Sequence, residues 1–279
     1  MSLLDPISHA LAAVVATAHT GLTSLGADPG AGTTWVLCVA AVVVTVRLAL
    51  LPLAVQGVRL AHASARARPH LKELTARYKG KRDPDSLRAL AEERKRISAE
   101  HGVPRLGCLP LLLQLPVWIS MYHLVSDVAG GSPVGAMDAG LVASFGAASL
   151  VGVPLAERGY LGGGSGHLAV VVVLVVLAGG LSFVTQRFLV LPNTLSADLP
   201  EAMASAQQVM PLLSALGMAV AAAVVPAALL VYWVLNATWT MGQSAVVWRY
   251  FPTPGSPADV RRVAREERAG RAGRLSPGA

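Results

Sequence analysis

The sequence predicts an all-α integral membrane protein of five spans, and three observations carry that prediction. Of 279 residues, 53% are hydrophobic and 14% charged, with a mean hydropathy of +0.54, outside the range of an ordinary soluble domain. The apolar residues gather in runs long enough to cross a hydrocarbon core of about 30 Å. The basic residues flank those runs rather than sharing a folded face, so the net charge of +7 speaks for membrane topology and against specific nucleic-acid recognition.

The elements follow in chain order. In residues 1–33, Leu3, Ile7, Leu11, Val14, Ala18 and Leu22 recur at helical steps, which predicts an extracytoplasmic helix lying at the interface. No Lys or Arg precedes Arg47, so this segment lacks the charged start of a secretory signal and is expected to be retained. Span 1 covers 34–58, with a bend expected at Pro52. Residues 59–105 hold thirteen Lys or Arg and are expected in the cytoplasm. There Leu71, Leu74 and Tyr78 form one helical stripe and Leu87, Leu90, Ala91 and Ile97 a second. Between them, Lys79 to Arg82 breaks the chain and Asp83-Pro84 restarts it, predicting a helical hairpin.

Span 2 is expected over 106–126 and an extracytoplasmic segment with one basic residue, Arg158, over 127–165. Span 3 covers 166–191 and a cytoplasmic loop 192–207. The apolar region that follows is too long for one crossing, and splitting it at Pro226 gives span 4 (208–225) and span 5 (226–248). The split also returns the basic tail, 249–279, to the cytoplasm, where it is expected to be mostly disordered with a helix near Asp259 to Arg268.

Arg47 is the candidate functional residue that stands out. A guanidinium deep in a span costs about 2.5 to 3.5 kcal/mol on insertion scales. No Asp or Glu lies within the five spans to neutralise it. Neutral polar side chains lie on other spans: Gln114, then Ser182 and Gln186 one turn apart, then Asn236, Thr240 and Gln243 at steps of four and three. They can line a common wet cavity with Arg47, or they can serve as interhelical hydrogen-bonding glue. An arginine without a carboxylate is a poor fastener and a good attractor for something negative and transient.

Other motifs carry less. Gly163-Gly164-Ser165-Gly166 matches the serine motif of rhomboid-type proteases, but no histidine base follows His167, and a glycine-rich connector explains it. His123 and Asp127 share a helical face at the outer end of span 2 and read as an interfacial pair. Cys38 and Cys108 offer neither a disulfide framework nor metal-ligand spacing. No cofactor motif is found, and the missing G-x-x-x-x-G-K-[ST] loop argues against ATP-driven transport by this chain.

Three stretches carry a family resemblance. HGVPRLGCLPLLLQLPVWISMY (101–122), PAALLVYWVLNATWTMGQ (226–243) and VRLALLPL (46–53) together resemble the core spans of YidC-type membrane-protein insertases. The resemblance implies a five-span insertase-like bundle with a cytoplasmic helical hairpin, in the bacterial plasma membrane, its N-terminus outside and C-terminus inside. It implies insertion without covalent catalysis, through a hydrophilic groove centred on Arg47 and including Gln114, Trp233 and Asn236. Gln186, Thr240 and Gln243 are added from their spacing. Nascent membrane proteins would be the substrates, with lipids, the ribosome and a Sec-type translocon as further partners. A small-solute transporter or channel is the principal alternative, and an assembly chaperone the third.

Overall fold

The computed structural model describes residues 4–81, 83–103, 109–160, 164–195 and 201–275, with side chains of 109–113, 201–204 and 270–275 outside the description. Its order is α1 (Asp5–Ser24), α2 (Gly32–Ala49), α3 (Leu51–Arg77), α4 (Pro84–Glu100), α5 (Leu109–Ala129), α6 (Ala139–Ala147), β1 (Ser149–Leu150), β2 (Val153–Pro154), α7 (Gly164–Val184), α8 (Glu201–Ala221), α9 (Ala227–Tyr250) and α10 (Pro257–Leu275). Helix dominates, and the two short antiparallel strands are an addition to the expected all-α fold. Among the described residues, two helical stretches, Gly32–Ala49 and Gly164–Asn193, are long and apolar enough to cross a membrane. Helices α5, α8 and α9 also have spanning length, at 21, 21 and 24 residues.

α9 is the axis of the bundle, packed against α2, α5 and α7, while α7 also packs on α8. Its first seven residues, Ala227 to Trp233, are all buried. A buried helix start leaves orphan N–H groups, and here the segment between α5 and α7 supplies their acceptors. Ala227 N donates to Glu157 O at 2.8 Å and Ala228 N to Leu155 O at 2.9 Å.

The same segment folds into a cap. Met137, Phe145, Ala148, Val153 and Leu155 are buried in it. Trp35 of α2 meets the Phe145 ring edge-on at 5.3 Å and the His19 ring at 4.7 Å, joining α1, α2 and α6. Gly32 lies so close to the Ser149 carbonyl that a Cβ would collide with it, which accounts for glycine there. Arg158 Nη2 donates to Ser126 O at 2.9 Å and ties the cap to the end of α5.

Several details differ from the sequence reading. The stripe of α1 does not lie free on a surface. Leu11, Ala12 and Val15 are buried, with Ile7, Val14, Ala18 and Leu22 packed beside them, because α2 and α5 offer a drier apolar partner. The first apolar run breaks at Leu50, where Pro52 opens a new helix without donating to the turn before it. α3 then continues for 27 residues into the basic region. Arg47 is therefore in the last turn of α2 rather than midway along a helix, where the helix dipole favours a cation.

The hairpin of α3 and α4 turns at Gly80, whose φ of +86° suits glycine. Leu74 is buried, whereas no residue of α4 is, and Leu87 is 53% exposed. Two helices alone cannot enclose a stripe, so the apolar residues of α4 stay at the margin. Asp83 caps α4, accepting from Ser86 N at 2.8 Å, and that bond holds its carboxyl below the ordinary aspartate range. The depressed folded-state value means that the cap supports α4 at neutral pH, and its contribution fades as the pH falls through that value.

The tail is more ordered than expected. α10 spans 19 residues, Ser256 and Ala258 are buried, and Asn193 Oδ1 accepts from Thr253 N at 2.8 Å. Asp259 to Arg268, where a short helix was expected, lies inside it. α8 begins at Glu201, seven residues ahead of the expected span start.

Candidate functional site

The site is built where α2, α7, α8 and α9 meet. Asn236 and Thr240 sit one turn apart on α9, and Thr240 Oγ1 donates back to Asn236 O at 2.8 Å, which leaves its oxygen free to accept. Arg47 reaches across from α2. Its Nε and Nη2 donate to Asn236 Oδ1 at 3.2 and 2.7 Å, and Nη2 also to Thr240 Oγ1 at 2.7 Å. Neutral oxygens fix the guanidinium plane without cancelling its charge. Among the described residues no carboxylate forms an ion pair with Arg47.

On the other side of Asn236 lies a partly enclosed cavity of about 540 Å³. Ser182, Thr185 and Gln186 line it from one helix, Ser214, Gly217 and Met218 from α8, Trp233, Asn236 and Thr240 from α9, and Trp118 from α5. Continuing α7, Thr185–Val190 forms a π-helical turn, with Thr185 Oγ1 donating to Leu181 O at 2.7 Å. Such turns recur at functional sites because they shift the side chains of one helix face. The cavity meets α9 from Trp233 downward, while the six residues before Trp233, towards the cap, are buried.

The structure brings together Arg47, Asn236 and Thr240 by hydrogen bonds, and Gln186, Trp233, Asn236 and Thr240 around one cavity. Gln114 instead shares with Arg47 a cleft of about 10 Å³ at the back of Asn236, beside Tyr232, Val43 and Met121. Gln243 is elsewhere: it accepts from Trp239 Nε1 at 3.2 Å and lines a separate groove between α3 and α9. Thr185, Ser214 and Trp118 were missed. Ser214 had a signal, being a polar residue in an apolar run opposite Ser182 and Gln186, whereas nothing in the sequence set Trp118 or Thr185 apart.

The other motifs do not converge on this site. His123 stacks edge-on against Tyr122 at 5.6 Å, and among the described residues it makes no hydrogen bond to Asp127. Ser165 is exposed at the start of α7, and Gly163 and Cys108 lie outside the described residues. Cys38 is a buried free thiol in α2.

Fold and site define a class: a helical membrane protein whose bundle is capped at one end and holds a cavity with polar side chains on several helices, two of which also bind an arginine through neutral oxygens. A family profile described as 60Kd inner membrane protein matches residues 27–254, which includes α2 to α9 and the three stretches that carried the resemblance. The chain belongs to that family. The protein named membrane protein insertase YidC of Streptomyces avermitilis is 32% identical over 248 residues, covering 84% of this chain and 55% of that relative. The one of the same name in Bifidobacterium longum is 26% identical over 282 residues, covering 99% of this chain and 84% of the relative. Membrane protein insertase MisCA of Bacillus subtilis is 25% identical over 217 residues, covering 77% of this chain and 71% of that protein. The chain thus spans little more than half the length of the Streptomyces relative, and it is a bacterial membrane protein of this group.

Proposed function

We propose that this protein is a membrane-protein insertase that receives the polar segment of a nascent chain in the cavity beside Arg47 and releases its apolar helix sideways into lipid. The observation that carries the proposal is a cavity inside an apolar bundle into which Ser182, Gln186, Ser214, Asn236 and Thr240 bring polar groups, two of them also holding a guanidinium whose partners are all neutral. A hydrophilic segment entering hydrocarbon loses water from its backbone and charges, and a wet cavity shortens the apolar distance left to cross. Arg47 attracts an acidic tail, Ser182, Gln186 and Ser214 replace part of its hydration, and no covalent step is needed.

The accompanying topology has five spans: α2 with the first turns of α3, then α5, α7, α8 and α9. The α3–α4 hairpin and α10 face the cytoplasm, where nascent chains arrive, and the cap lies outside. Burial of α9 between Ala227 and Val231 supports an end that is closed, and so favours insertion over conduction of a small solute. A ribosome and a Sec-type translocon are compatible partners for the basic hairpin and tail. A chaperone role in assembly would follow from prolonged contact with the inserted helix.

Site-specific photocrosslinking tests the reading. A photoreactive residue at Ser214 or Gln186 is expected to capture a stalled nascent single-span protein, while one at the lipid-facing Val173 of α7 captures far less. Equal capture from all three positions would remove the cavity from the mechanism.

A further inference from the structure

A second groove lies below the first, where α3 diverges from α9 after the break at Leu50. It measures about 680 Å³ and is walled by Leu51, Ala54, Val55 and Val58 on α3 and by Val246, Val247 and Phe251 at the end of α9. The two helices run parallel here: His62 Nε2 lies 3.2 Å from Phe251 O, which fixes the register at the basic end. Gln243 therefore lies level with Ala54, roughly 12 Å from that end at about 1.5 Å per residue.

Its chemistry differs from that of the Arg47 cavity. The walls are aliphatic and aromatic, with Gln243 and Trp239 as the polar exceptions, and the cation Arg59 lines the groove beside His62. Arg59 is exposed and makes no hydrogen bond or ion pair with the described residues. No Asp or Glu occurs between Asp28 and Glu73 or anywhere in α9, so the groove carries uncompensated positive charge at its polar end. A polar nascent segment would find few partners on such walls. An amphiphile with apolar chains and an anionic head fits both parts.

We propose that this groove binds one anionic phospholipid, its acyl chains along Leu51, Val55 and Val246 and its phosphate at Arg59. The assignment of that lipid to the cytoplasmic leaflet rests on the topology proposed above, but binding itself does not. Juxtamembrane basic residues attract anionic headgroups by about 1 kcal/mol each, close to fivefold in affinity. Bound there, the lipid fills the gap opened by the bend at Leu50 and braces the root of the hairpin against α9.

Native mass spectrometry of the purified full chain, offered equal phosphatidylglycerol and phosphatidylcholine, tests the proposal without any insertion step. One lipid is expected to stay bound, with phosphatidylglycerol enriched about fivefold. Arg59→Gln should abolish the enrichment while leaving a lipid bound, and Val55→Trp, at an exposed position, should expel the lipid by filling the groove. Retention of the enrichment in Arg59→Gln, retention of the lipid in Val55→Trp, or no bound lipid in the unaltered protein would each overturn the assignment. Capture of a nascent chain from a photoreactive Val55 would also overturn it, in favour of a second polypeptide path. An insertase that works normally with Arg59→Gln leaves the two proposals separately judged.

Discussion

Arg47→Ala is expected to reduce insertion of a single-span substrate with an acidic outer tail by about ten- to hundredfold. Hydrogen bonds to a charged group contribute about 1.5 to 3 kcal/mol, and 1.36 kcal/mol is a factor of ten in rate. Removing the guanidinium leaves Thr240 Oγ1 donating to the Asn236 backbone carbonyl and frees Asn236 Oδ1 beside the cavity that Asn236 lines, so protein level and melting temperature should change little. A substrate whose tail is neutral should lose much less. Arg47→Lys keeps the charge but cannot hold both Asn236 and Thr240 as a planar fork does, and should restore insertion in part. Paired insertion assays with the two substrates read the difference. An equal loss for both tails would mean that Arg47 acts through hydration or packing rather than attraction.

Trp35→Ala carries the largest expected cost to stability, about 3 to 5 kcal/mol, as for other buried aromatic deletions. The ring is 1% exposed and touches His19 and Phe145, so its loss separates α1 from the cap and leaves a cavity behind α2. In detergent this should lower the melting temperature by roughly 10 °C. Trp35→Phe retains most of the ring contact, and because Trp35 Nε1 has no hydrogen-bond partner it forfeits no bond. It should therefore cost far less. Thermal scans of both variants decide whether the cap is held by this aromatic cluster.

The two effects separate function from architecture. Arg47 stands on neutral oxygens in a region that its loss hardly disturbs, whereas Trp35 touches no polar cavity. Fold and site remain coupled through α9, whose start is bonded into the cap and whose next two turns supply Trp233, Asn236 and Thr240.

Much of this arrangement was legible in the residues. Asn236 and Thr240 lie four apart, so a helix aims both at one neighbour, and Arg47 is the cation that needed them. Ser182 and Gln186 followed from the same spacing. Gln243 shares that face of α9 by periodicity, yet the structure gives it a different groove. Periodicity fixes a direction from the helix axis, but not which element covers it at each height, and the break at Leu50 moves α3 away one turn below Thr240. The sequence marked Pro52 as a bend without giving its consequence, a new helix that continues into the hairpin.

Other features depended on contacts distant in the chain. The cap has glycine-rich connections and short apolar pieces with no single period, and its order comes from Trp35, Gly32 and the α9 start, each far away in sequence. The tail lacks an apolar core of its own, so composition suggested disorder, but Asn193 and the buried Ser256 and Ala258 give α10 a seat. α1 shows the same effect: its stripe was visible, and the neighbours that bury it were not.

The most direct test of insertion is reconstitution. The purified protein in liposomes, offered a ribosome-free single-span substrate with an acidic tail, should protect that tail from external protease after insertion. The same liposomes should remain tight to small anions, since α9 is buried between the cavity and the cap. Protease-protected tail without anion leakage is the predicted result. Rapid anion flux in the absence of substrate, with no protected tail, would contradict the account and make this bundle a channel.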